Sequence, residues 1–287
     1  MLSQTPSIKN FNLAWFIQQS LKEDIGSGDH TSLSTLPVSA RNKAQLIVKE
    51  PGILAGVEVA TKIFSTVDRS LKIKIYKNDG AKIKQGDIAF TVEGNSRSIL
   101  TAERLVLNCM QRMSGIATKT NHLVSLCKPY KTKLLDTRKT TPLLRGLEKW
   151  AVRIGGGYNH RYGLYDMILI KNNHIDFADG ITNAIDSANA YLKRKKLNLK
   201  IEIEARNLNE VNEILSIGKV DRILLDNFSI PEIRKAVKLI KRKFEIEISG
   251  GINEKNIRKY ASLGADYISS GALTHSVKSL DLSLTAV

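Results

Sequence analysis

Apolar positions in the first part of the chain follow a mixture of helical and strand periods. Phe11, Trp15, Phe16 and Ile17 fall at helical spacing and predict a helix over residues 11–21, which the run Asp24-Ile25-Gly26-Ser27-Gly28-Asp29 breaks. Residues 44–49, 71–76 and 87–92 predict strands; Asn78-Asp79-Gly80 and Gln85-Gly86 supply turns between the last two. Residues 57–67 read as a helix, and a longer helical stretch over residues 99–126 leads into the second part of the chain.

From residue 131 the rhythm changes to alternating strand and helix. Short β-rich runs occupy residues 133–135, 167–170, 199–203, 222–225, 244–248 and 267–268, with helices such as 231–242 and 254–263 between them. Each run leads to a polar residue: Asp136, Lys171, Glu204, Asp226, Ser249 and Ser269. The last four are 22, 23 and 20 positions apart, about one βα unit each. This pattern predicts a parallel α/β barrel with functional groups at the carboxyl ends of its strands. Six clear strands fall short of a closed eight-stranded barrel, so an open or smaller barrel beside an α+β domain fits better.

Bulk properties narrow the function classes. The 287 residues leave room for one large domain or two modest ones, and 42% hydrophobic with 25% charged residues is ordinary for a soluble globular chain. No apolar run approaches the ~18 residues of a membrane span, and residues 1–12 lack the features of a secretory signal. Cys109 and Cys127 stand at no metal or redox spacing, which favours a reducing compartment and a cytoplasmic location. The net charge of +16 is spread along the chain; its densest cluster, Lys193-Arg194-Lys195-Lys196, ends a predicted helix where cations are favoured. A solvated face that steers anionic substrates explains it better than nucleic-acid binding, and no membrane partner is expected.

Four constellations carry candidate chemistry. In Ser249-Gly250-Gly251-Ile252 a strand runs into paired glycines and then a helix, and Ser269-Ser270-Gly271-Ala272 repeats the arrangement. One such loop could be only a tight turn; two in successive units favour a phosphate site. Asp136-Thr137-Arg138-Lys139, Asn159-His160-Arg161 and Ile170-Lys171 place cations at or near strand ends. Any single one could be a surface residue, but together they imply a ligand with several negative charges. Glu204 and Asp226 close neighbouring β-runs and suit general acid–base work, metal ligation or ribose hydroxyls; an ion-pair network with Arg138 or Lys171 accounts for them equally. Glu202 alternates with Glu204, so it shares that face at a deeper level. On the long helix Arg104 could simply pair with Asn108 one turn on. Gly155-Gly156-Gly157 suits a hinge over the site or a plain linker, with the hinge slightly favoured. No zinc spacing, nucleophile elbow, dinucleotide fingerprint or Walker loop occurs.

These residues resemble the quinolinate phosphoribosyltransferases over nearly the whole chain. The resemblance rests on Glu23-Asp24-Ile25-Gly26-Ser27-Gly28-Asp29, Thr101-Ala102-Glu103-Arg104, Gln111-Arg112-Met113-Ser114-Gly115, Leu135-Asp136-Thr137-Arg138-Lys139-Thr140, Gly155-Gly156-Gly157-Tyr158-Asn159-His160-Arg161, Leu169-Ile170-Lys171, Leu225-Asp226-Asn227 and Ser249-Gly250-Gly251-Ile252. Leu143 and Asn172 depart from the family pattern without touching an assigned position. The resemblance implies an N-terminal α/β sandwich domain over residues 1–117, joined by the tail 275–287, and a C-terminal open parallel α/β barrel over residues 118–274. It implies phosphoribosyl transfer from 5-phosphoribosyl 1-pyrophosphate to quinolinate with loss of carbon dioxide, or a paralogue acting on another anionic substrate. It further implies Mg2+ as cofactor, and a homodimer or an assembly up to a hexamer in which Arg104 reaches the neighbouring pocket. Arg104, Arg138, Arg161 and His160 look like binders of quinolinate carboxylates, and Thr137 falls within the same motif. Lys139 and Lys171 resemble the phosphate contacts, with Lys139 also a catalytic candidate. Glu204 and Asp226 match the carboxylates around the ribose and its magnesium. Ser249, Gly250, Gly251, Ser269, Ser270 and Gly271 match the 5′-phosphate loops.

Overall fold

The computed structural model describes residues 11–287. The described residues divide into two compact units: residues 11–121, 140–156 and 273–287 form the first, and residues 122–139 and 157–272 the second. This differs from the boundary expected at residue 117/118, because the segment 140–156 belongs to the first unit. The reason is a buried ion pair. The Arg112 guanidinium lies 2.8 Å from Glu148, a carboxylate only 1% exposed that also accepts from the Thr141 amide and hydroxyl at 3.1 and 2.9 Å.

In the first unit, helix α1 (Leu13–Ile25) starts at Asn12, whose side chain accepts from the Trp15 amide, and ends at Gly26 with φ +52°. It therefore runs four residues past the expected end. A second short helix, α2 (His30–Thr35), capped by Asp29, was not expected. Four antiparallel strands form a sheet in the order β12-β1-β5-β3, where β1 is Arg41–Val48, β3 is Lys72–Ile75, β5 is Ile88–Asn95 and β12 is Leu282–Ala286. The C-terminal tail thus supplies an edge strand. Alternation buries Ala44, Leu46 and Val48 of β1 on one face. Helix α3 (Val57–Val67) lays Ala60, Ile63 and Phe64 into the core, with Phe64 edge-on to Phe90 at 6.0 Å between ring centres. A small pair, β2 (Gly52–Ile53) with β4 (Lys82–Ile83), completes the strands of this part. The long helix α4 (Ser96–Cys127) is 32 residues long, yet no helix among the described residues is apolar enough to cross a membrane.

Helix α5 (Arg145–Ile154) ends at the triple glycine. A Cβ on Gly155 would sit 2.5 Å from the Ala117 carbonyl oxygen, and Gly156 turns the chain at φ +90°. The hinge reading of this loop does not hold: Gly155 is a close-packing position against α4.

The second unit is built on six parallel strands in the order β6-β11-β10-β9-β8-β7: β6 (Lys133–Leu135), β7 (Ile168–Ile170), β8 (Ile201–Ala205), β9 (Arg222–Asp226), β10 (Glu245–Ser249) and β11 (Tyr267–Ser269). Helices α6 (Asn172–Phe177), α7 (Ile181–Lys195), α8 (Leu208–Ile217), α9 (Ile230–Ile240) and α10 (Ile257–Ala261) lie between strands, and α11 (Ala272–His275) follows β11. An open parallel α/β barrel accompanied by a domain of mixed helix and strand is the architecture the sequence predicts. Register sorts the strand residues into two faces. Ile201, Ile203, Ile223, Leu225, Ile246, Ile248, Ile268 and Leu134 share one, all nearly or fully buried. Glu202, Glu204, Arg222, Asp226, Glu245, Glu247, Tyr267 and Ser269 share the other.

Beyond β6, Tyr158 pairs with Leu135 as an isolated parallel bridge, and Arg161 donates from Nη1 to the Met167 carbonyl at 3.1 Å, just before β7. The segment 157–167 thereby connects the two edge strands of the open barrel. Replacing Gly155 with alanine is expected to cost about 1–3 kcal/mol through overpacking against α4. Urea denaturation compared with the parent checks it.

Candidate active site

The carboxyl ends of all six parallel strands lie on one edge of a single sheet, and every candidate residue of the second unit sits there. Strand β6 delivers Asp136, Thr137, Arg138 and Lys139; β7 delivers Lys171; β8 and β9 deliver Glu204 and Asp226; β10 and β11 deliver the Ser249 and Ser269 loops. Ser249 pairs with Asp226 in register, and Ser269 with Leu135, so these ends are adjacent.

Asp136, fully buried, anchors the first loop. It accepts from Asn159 Nδ2 at 2.6 Å and from the His160 amide at 2.8 Å, which fixes the segment carrying Arg161. The Lys139 amide donates to Thr137 Oγ1 at 3.0 Å, tightening the turn that presents Arg138. The Nε atoms of Arg138 and Arg161 are both buried without a hydrogen-bond partner among the described residues. Burial, and then the nearby Arg138 guanidinium, hold Arg161 below its ordinary value. Two guanidinium groups that repel each other while keeping unsatisfied donors have the chemistry to accept a carboxylate.

Glu204 accepts from the Asn172 amide at 3.1 Å and lies 3.4 Å from Lys171 Nζ. The ion pair left open by the sequence is therefore made with Lys171. Asp226 is half-buried and has no hydrogen bond or ion pair among the described residues. After β10, Gly250 has φ +104° and a Cβ there would meet Asn227 Oδ1 at 2.1 Å, so only glycine fits. The helix expected directly after the glycines starts only at Ile257, because Asn253 and Asn256 side chains fold back onto the Gly251 carbonyl at 3.0 and 2.9 Å. Ser270 ties the two loops together, donating from its hydroxyl to the Ile252 carbonyl at 3.0 Å. Both Ser269 and Ser270 are buried; Gly271 directly precedes α11.

His160 is placed differently from expectation. Its Nδ1 accepts from the Arg161 amide at 2.7 Å and its Nε2 lies 2.8 Å from Glu202, so both ring nitrogens have protein partners. Arg104 belongs to the first unit, exposed on α4, and the pairing with Asn108 is not formed. A cavity of about 440 Å³ in the first unit lies among α1, α4 and the start of α5, with Arg112 and Glu148 in its lining. No strand-end residue lines it.

In the layer beneath the site, where sequence reasoning puts Glu202, it misses Glu247. Glu247 is fully buried, 2.9 Å from Arg222 Nη1 and 3.5 Å from His160 Nε2. Burial, and then the neighbouring Glu202, push the Glu247 carboxyl up to about 7. Glu202 is raised too, chiefly by burial. The signal was present: Glu245-Ile246-Glu247-Ile248 alternates just as Glu202-Ile203-Glu204 does.

Comparison with known proteins supplies the family. The N-terminal domain model of quinolinate phosphoribosyl transferase matches residues 29–114, and the C-terminal domain model matches residues 116–285. The chain belongs to the quinolinate phosphoribosyltransferase family. It is 45% identical over 294 residues to the carboxylating nicotinate-nucleotide pyrophosphorylase, chloroplastic, of Arabidopsis thaliana, covering 97% of this chain and 84% of that protein. It is 44% identical over 294 residues to a mitochondrial decarboxylating quinolinate phosphoribosyltransferase of Nicotiana tabacum, covering 97% and 83%. Among solved structures, the nicotinate-nucleotide pyrophosphorylase of Francisella tularensis superposes with a TM-score of 0.90 at 40% identity, covering 100% of this chain and 99% of that one. Within the family fold, the buried Glu202–Glu247 pair has a thermodynamic consequence. Glu247 keeps its proton in the folded state up to about pH 7, whereas an unfolded glutamate releases it near 4.5. The folded state binds more protons in that window, so stability is expected to fall as pH rises from about 4.5 to about 7. Urea unfolding across that range should show a decline that Glu247→Gln flattens.

Proposed function

We propose that this chain transfers phosphoribosyl from 5-phosphoribosyl 1-pyrophosphate to quinolinate with decarboxylation, giving nicotinate mononucleotide, pyrophosphate and carbon dioxide on the route to NAD. The observation that carries the reading is the Arg138–Arg161 pair with its two buried, unsatisfied Nε donors. An adjacent dicarboxylate is the ligand that pair suits, which favours quinolinate over a monocarboxylate such as nicotinate.

Arg138 and Arg161 hold the carboxylates, so the pyridine nitrogen is aimed at the ribose carbon that bears pyrophosphate. The Ser249–Gly251 and Ser269–Gly271 loops receive the 5′-phosphate, and Lys139 and Lys171 the charge of the leaving group. Glu204 and Asp226 face the ribose, where positive charge develops as the bond to pyrophosphate breaks. Two carboxylates offering hard oxygen donors, with Asp226 carrying no protein partner, fit Mg2+, a cation that retains water and phosphate ligands. Asp226, with Glu204 beside it, would hold the ion, which would supply neutralisation of the charge developing on the leaving group. Attack by nitrogen leaves the pyridine ring cationic. The bond from ring carbon to the 2-carboxylate can then break with its electron pair entering that ring, and a proton replaces carbon dioxide.

We assign Arg104 to the pocket of a second copy in a homodimer, a reading supported by an exposed guanidinium without a partner among the described residues. Its two cysteines are both free and buried, which fits a reducing compartment such as the cytoplasm. Purified protein given quinolinate, phosphoribosyl pyrophosphate and Mg2+ is expected to form nicotinate mononucleotide; turnover of nicotinate instead would point to a paralogue. Arg138→Ala is expected to lower kcat/KM for quinolinate by about 100-fold or more with an unchanged circular dichroism spectrum. Mixed dimers of Arg104→Ala and Arg138→Ala subunits should regain activity that neither variant has alone.

A further inference from the structure

We propose that Glu247 is a positioning residue which acts through Glu202 and His160 to fix the arginine pair that receives the substrate's carboxylates. The proposal rests on the quinolinate reading above and adds a chain of contacts beneath it. An imidazole whose Nδ1 accepts from an amide carries its proton on Nε2 when neutral. In His160 that amide is Arg161's, at 2.7 Å, and the Nε2 proton meets Glu202 Oε2 at 2.8 Å. The ring is therefore held between an acid below and the backbone of Arg161 above. Asp136 fixes the other side of the same peptide run through the His160 amide at 2.8 Å. Arg161 itself has one hydrogen bond, from Nη1 to Met167. Its position depends on that bond and on the pinned backbone.

Glu247 completes the chain from strand β10. Facing it are Glu202 from β8, Arg222 from β9 at 2.9 Å, His160 from segment 157–167 at 3.5 Å and the Ser269 hydroxyl from β11. Glu245 on its own strand is taken up by Arg222 at 3.2 Å and by the Tyr267 hydroxyl at 3.0 Å. Glu247 and Glu202 both lie against the Arg222 guanidinium, which Glu245 also engages, and Glu202 is attracted by that of Arg161 as well. The guanidinium of Arg222 also takes the place a cation would need, although the ligand atoms of His160, Glu202 and Glu247 lie within 4.8 Å of one another.

Two substitutions test this. Glu247→Leu removes the contact, and Glu247→Gln imitates the neutral acid. In histidine labelled with nitrogen-15, the His160 signal, assigned with His160→Asn, is expected to show the Nε2-protonated tautomer in the parent and in Glu247→Gln. In Glu247→Leu it should move to mixed or charged forms. There KM for quinolinate should rise about tenfold or more, while kcat and KM for phosphoribosyl pyrophosphate change less than about threefold. An unmoved His160 signal and an unmoved quinolinate KM in folded Glu247→Leu would overturn the proposal. If that variant does not fold, Glu247→Ala is read by the same two measurements, and an unmoved His160 signal with an unmoved quinolinate KM there overturns the proposal. The histidine signal needs no turnover, so a parent inactive on quinolinate would sink the activity reading separately.

Discussion

Arg222 crosses the inward face of the second unit with its guanidinium between Glu245 and Glu247 and its plane over Tyr267, 4.0 Å from the ring centre. That one cation lets the parallel sheet turn acids toward its interior. Without it, Glu202 and Glu247, both fully buried, would leave uncompensated charge in a low-dielectric space. The other face of the same strands is isoleucine and leucine, while on this face the acids alternate with a few apolar residues such as Leu224 and Leu135. The inward side is left for polar work. Strand alternation separates the two tasks residue by residue.

The site above depends on that arrangement in two ways. The acids beneath it hold His160, and through its ring the backbone of Arg161, so the receptor is rigid before a ligand arrives. The arginines themselves are left unsatisfied, with repulsion between them stored in the folded state. In the proposed function, a bound dicarboxylate relieves both conditions at once. Glu204, by contrast, is already paired with Lys171 and the Asn172 amide, which orients it while limiting its charge. Asp226 keeps its carboxylate uncommitted among the described residues, and that difference suits the two acids to different partners.

Much of this was legible in the residues. The six strands were placed by apolar runs bounded by turns, and polar residues at their ends marked the functional edge, because a period of two and a βα repeat of about twenty residues survive in one sequence. Long-range events were not legible. Residues 140–156 join the first unit because Arg112 reaches Glu148, a contact between positions far apart that no local pattern announces. The helix after Gly250-Gly251 begins late because two asparagine side chains cap the turn instead. The triple glycine invited a hinge, yet its first member is there for close packing. His160 enters as a ligand contact through the resemblance; one ring nitrogen accepts from the adjacent Arg161 amide, and the other meets Glu202, a partner that only the folded sheet brings near. Glu247 was overlooked although it repeats the alternation of Glu202 and Glu204, since burial of an acid is visible only once its guanidinium partner is located.

The central claim is that converging strand ends build one receptor for two adjacent carboxylates. Calorimetric titration of quinolinate and of nicotinate into the wild-type protein tests it most directly. Quinolinate is expected to bind about tenfold or more tightly than nicotinate, with the preference lost in Arg138→Ala. Equal affinity for the two acids, or a preference that survives that substitution, would contradict the account.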